Sequence, residues 1–131
     1  MRSIYGFVAT SLLVLALPAH GNAQCTSRPS MTGSWNASDG GTYVVMQRGQ
    51  NVWWVGTSGD GGASFINVFK GVRKGLIVSG DWSDVRGRGF GTLQLSIEGV
   101  RGTDRAFAFN KISDTGGFAA RRWTFPCRDT G

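Results

Sequence analysis

Histidine is almost missing from this 131-residue chain, its one copy, His20, lying in the N-terminal apolar segment. After that position there is no imidazole. Ser-His-Asp and Cys-His hydrolysis are therefore excluded, as are, with only two cysteines, the usual zinc sites. Acid–base chemistry would fall to Asp39, Asp60, Asp81, Asp84, Glu98, Asp104, Asp114 and Asp129, most of which neighbour Gly or Ser in turn-like contexts. Asp81 and Asp84 as an acid and base pair, or with Asp60 as a calcium site, compete with a plainer reading as solvated turn residues, and no EF-hand spacing exists. No enzymatic activity, metal or cofactor is expected. Nor does any apolar run reach the roughly 18 to 20 residues of a spanning helix, so no membrane span is expected.

What stands at the N-terminus is shorter. Arg2, the apolar run from Phe7 to Pro18 and the small residues Gly21, Asn22 and Ala23 read as a secretory signal peptide over residues 1–23, which leaves a single domain over 24–131. A lipoprotein signal ending at Cys25 is the rival reading, and Gln24 argues against it, because such signals want a small residue there. Export to the periplasm or the extracellular space makes a Cys25–Cys127 disulfide the expected state of the two cysteines. The alternative, two free thiols with a redox role, lacks a close C-x-x-C pair.

Lysine and arginine number 14 against 8 acidic residues, for a net charge of +6. The basic residues are scattered, with only Arg73-Lys74 and Arg121-Arg122 adjacent, which argues against nucleic-acid binding. Glycine is plentiful, at 21 residues, and alternates with aromatic and β-branched runs. Turn signals cut the chain into about eight strands, near 31–36, 41–48, 51–58, 63–70, 75–83, 90–98, 104–112 and 117–125. Gly91, Leu93, Leu95 and Ile97 share one face of the sixth, with Thr92, Gln94, Ser96 and Glu98 on the other. Short connections imply antiparallel neighbours, and closing the meander removes its edges. The expected fold is all-β, an eight-stranded antiparallel up-and-down barrel with its ends joined by the disulfide.

Gly33-Ser34-Trp35 at the start of such a meander resembles the G-x-W element of the calycin barrels, lipocalins and avidins. The likeness to avidins runs on locally through Trp35 to Val45. It implies a floor role for Gly33 and Trp35, with Arg121 or Arg122 of the last strand lying over the indole, and a general taste for small ligands. Where avidins hold the biotin ureido group with Asn and Ser, this chain has Ala37 and Gly41, so biotin itself is not implied.

Polar groups set among aromatics suggest a ligand site. If odd positions point inward, Tyr43, Trp53, Phe65, Asn67 and Phe69 line one cavity, with Trp82 and Asp84 of Gly80-Asp81-Trp82-Ser83-Asp84 nearby. A plainer alternative has the aromatics filling the barrel and Asn67 bonding internally. The leading functional expectation is a secreted, non-enzymatic barrel that binds a small apolar or amphipathic ligand. The competing one is a protein-binding module, such as a periplasmic protease inhibitor, using an exposed Trp54 or the Gly59–Gly62 loop. Oligomeric state is not legible.

Overall fold

A computed structural model describes residues 27–125, and the expected leader, Cys25 and Cys127 lie outside the described residues. Eight strands follow in order: β1 (Gly33–Ala37), β2 (Thr42–Arg48), β3 (Asn51–Thr57), β4 (Ile66–Lys74), β5 (Ile77–Asp84), β6 (Phe90–Gly99), β7 (Ala106–Asp114) and β8 (Arg122–Thr124). Each pairs antiparallel with the next, and β1 closes on β8 through Asn36↔Thr124 and Ala37↔Trp123. The expected up-and-down barrel is therefore what forms among the described residues.

Closure creates two ends. The mouth carries the β1–β2, β3–β4, β5–β6 and β7–β8 connections. The base carries the β2–β3, β4–β5 and β6–β7 turns, together with the N-terminal segment from Ser27 to Thr32.

Strand limits shift from expectation most at the end of β4 and the start of β8. Gly71 reads as a turn signal, yet β4 runs through it to Lys74, and Gly71 pairs with Val52 and Gly80 inside the ladder. Its missing side chain supplies space, since a Cβ there would lie 2.5 Å from the Phe69 ring. At the other end of the chain β8 keeps only three residues. Residues 115–121 form a loop instead, which carries Phe118 into the core.

The barrel interior is filled rather than hollow. Trp35, Tyr43, Trp54, Phe69, Phe109 and Trp123 form its aromatic column, with Trp54 stacked on Phe69 at 4.3 Å and Phe109 on Trp123 at 4.9 Å. This takes away the room for a ligand deep inside the described barrel.

The register reverses the expected facing of both tryptophans on β3. Arg48↔Asn51 closes a two-residue turn, so an odd-numbered residue on β2 faces an even-numbered one on β3, and the inward set of β3 becomes Val52, Trp54 and Gly56. Trp53 therefore lies half-buried on the outer face beside Lys70, and Trp54, expected as an exposed contact, is 2% exposed in the core.

Towards the base, Trp35 is fully buried and donates from Nε1 to the Met31 carbonyl at 2.8 Å. The cation above it is not the expected one. The Arg28 guanidinium lies 5.9 Å from the Trp35 ring and 4.7 Å from that of Phe125. Arg121 and Arg122 are exposed, and Arg122 pairs with Glu98 on the outer surface. The outward parity of Arg122, set by Asn110↔Arg122 beside the inward Phe109↔Trp123 pair, is the reason.

Candidate functional site

One register row builds the mouth. Tyr43 of β2 faces Gly56 of β3, Gly56 faces Asn67 of β4, and Asn67 faces Asp84 of β5. Gly56 is the notch in that row. A Cβ on it would come within 2.3 Å of the Tyr43 ring and 2.7 Å of Asn67 Oδ1, so only glycine lets these two side chains meet across β3.

They meet through a directed chain of hydrogen bonds. Trp54 Nε1 donates to Asn67 Oδ1 at 2.9 Å, Asn67 Nδ2 donates to Tyr43 Oη at 3.3 Å, and Tyr43 Oη donates to Asp39 Oδ2 at 2.6 Å. Asp39 is fixed in turn by the Gly41 N–H, which donates to Oδ1 at 2.9 Å. Burial, reinforced by the Asp39 carboxylate, pushes the Tyr43 phenol far up, so it remains a neutral donor. Asn67 is thus an internal strut joining two core aromatics to a rim carboxylate.

Above the strut lies a cavity of about 210 Å³, bounded by Phe65, Asn67, Trp82, Asp84, Phe118 and Asp39. Trp82 meets Phe118 edge-on at 5.0 Å and donates from Nε1 to the Thr115 carbonyl at 3.0 Å. Asp84 Oδ1 accepts the Arg86 N–H at 2.9 Å, a bond that holds its carboxyl below the ordinary carboxylate range. Among the described residues no lysine or arginine borders the cavity, and the ion pairs are Lys111–Asp114 and Glu98–Arg122.

Of the seven expected ligand residues, Phe65, Asn67, Trp82 and Asp84 border this space. Tyr43 stands behind it as the partner of Asp39, and Phe69 is buried deeper against Trp54. Trp53 is on the outside. Six bordering residues were absent from the expectation, Asp39 and Phe118 among them. Asp39 could have been found from its place in the turn four residues before Tyr43. Phe118 gave no such signal, because its segment read as strand.

No protein-family model, no curated protein and no solved structure matches this chain.

Proposed function

We propose that this protein is an exported, non-enzymatic barrel that binds a small amphipathic molecule at its mouth. The observation that carries the reading is the cavity of about 210 Å³ where the rings of Phe65, Trp82 and Phe118 meet the carboxylates of Asp39 and Asp84. It lies below the roughly 300–1,000 Å³ typical of drug-sized ligands, which suits a small one. Aromatic faces beside carboxylates suit an apolar body bearing an ammonium or guanidinium group. Arg86 and Arg88 stand exposed in the neighbouring loop without bordering the space. The lowered carboxyl of Asp84 suits a fixed anionic contact for such a cation rather than a general acid.

The calycin-like assignment belongs to the same proposal, supported by the closed eight-strand barrel and by buried Trp35 in Gly33-Ser34-Trp35. So do the leader over residues 1–23 and the Cys25–Cys127 bridge. The bridge is supported by the contact of Arg28 with Phe125, which lie three and two residues from Cys25 and Cys127.

Phenethylamine and the neutral 2-phenylethanol are suitable probes, followed by tryptophan fluorescence and calorimetry. The amine should bind detectably better than the alcohol, and Asp84→Asn should weaken it by about tenfold, the value of one charge-assisted contact. Equal binding of amine and alcohol, or an unchanged affinity in the variant, would overturn the reading.

One observation favours a second reading as a protein-binding module. Val44, Val55 and Val68 share an outer register row across β2, β3 and β4, and are 58%, 47% and 36% exposed, with Met46 and Trp53 beside them.

A further inference from the structure

The base concentrates positive charge. Arg28, Arg48, Arg73, Lys74, Arg101 and Arg105 all belong to it, against one carboxylate, Asp104. Glu98, near the same end of β6, is held by Arg122. The mouth, by contrast, mixes Asp39, Asp60, Asp84 and Asp114 with its arginines, so the excess cationic charge of the described residues gathers at one end.

Within that end Arg73 is exceptional. Inward parity on β4 buries it to 3% exposure, where a charge needs a counter-charge or a full set of acceptors. It has neither. Nε donates to the Gly75 carbonyl at 2.9 Å, and one terminal nitrogen, Nη1, donates to Gln47 Oε1 at 3.1 Å and to the Asp104 carbonyl at 2.9 Å. The other terminal nitrogen, Nη2, is buried with no partner, and among the described residues no carboxylate forms an ion pair with Arg73. Burial accordingly works against its charge, only partly offset by the field of Asp104.

Beside it lies a cavity of about 320 Å³ bordered by Gln47, Gly49, Arg73, Gly75, Thr103 and Asp104. A second depression of about 300 Å³ adjoins it across Gly75, Gly102 and Thr103, and is bordered by Arg101. Three turn glycines there, Gly49, Gly75 and Gly102, have positive φ and open space where a side chain would stand, and turn backbone of this kind can form the concave amide nests that suit an anion.

We propose that the base binds a small oxyanion, such as phosphate or sulfate or the same group carried on a larger molecule, with Arg73 supplying the neutralising charge and Arg101 flanking it. This second site is independent of the mouth.

The test is a titration of the full mature chain with sodium phosphate and with sodium sulfate, against sodium chloride of equal ionic strength. A saturable rise in Tm is expected with the oxyanions alone. In ¹H–¹⁵N spectra the shifts should be confined to the amides of Gly49, Gly75, Gly102, Thr103 and Asp104. Arg73→Met should weaken binding by about tenfold or more, and Arg101→Ser to a lesser degree. Asp84→Asn should leave the phosphate response intact, which separates this outcome from that at the mouth. A hexose phosphate that binds more tightly than inorganic phosphate assigns the group to a larger ligand, and equal binding assigns it to the free ion. A response no greater than that to chloride overturns the proposal, as do amide shifts scattered over the surface. The spectra decide even if Arg73→Met does not fold.

Discussion

Asn67 is the residue on which the mouth turns, because its single amide satisfies the indole of Trp54 and reaches the phenol of Tyr43 at once. Both rings are buried, so neither can fall back on water. Asn67→Ala should therefore destabilise the protein by about 1–3 kcal/mol, by the same amount with or without an amine in the mouth. Urea denaturation in both conditions measures this, and a variant of native stability with lost binding would show that Asn67 is a ligand contact instead. The amide was visible in Phe65-Ile66-Asn67-Val68-Phe69 as a polar group in need of partners. Those partners were not, since Tyr43 lies 24 residues away and the contact passes over Gly56.

At the scale of the strand pair, the two-residue turn between β2 and β3 decides which of two adjacent tryptophans enters the core. Trp54→Ala should cost about 3–5 kcal/mol as a large-to-small change among Phe69, Phe109 and Trp123, and Trp53→Ala far less. Comparable losses from the two substitutions would contradict the register. This parity was in principle legible, because Arg48-Gly49-Gln50-Asn51 is a recognisable hairpin turn and face alternation follows from its length. Trp53 and Trp54 are equally apolar, and composition alone offers no means of ranking them.

Over the whole molecule, acidic side chains act as local fasteners. The carboxyl groups of Asp84, Glu98 and Asp114 lie below their ordinary values, through the Arg86 N–H, Arg122 and Lys111 respectively. Asp60 is lowered by the hydroxyls of Ser58 and Ser64. A carboxyl lowered by folding contributes stability that is complete above its unfolded value, 3.8 for Asp and 4.5 for Glu, and is lost as pH falls through the lowered value. The described residues contain no histidine to titrate between. Thermal stability should thus be level from about pH 6 to 8 and decline below about pH 4. A decline centred between about pH 5 and 7 would be inconsistent with this set of groups.

Strand number, order and closure were determined by the sequence itself, because period-two alternation and turn chemistry are local and each short connection permits one neighbour. The burial of Trp35 was expected only from the resemblance of Gly33-Ser34-Trp35 to the calycin G-x-W element, not from alternation. Tertiary structure alone decided that the interior is full, since filling depends on how Trp35, Trp54, Phe109 and Trp123 divide one volume from four different strands. It also placed Arg28 rather than Arg121 or Arg122 over the floor, because the sequence marks a cation but not the side of the sheet from which it reaches. The two ends were hidden for the same reason. Asp39, Asp84 and Phe118 converge at the mouth, and Gln47, Arg73 and Asp104 at the base, only once β1 meets β8 and scattered turns become neighbours.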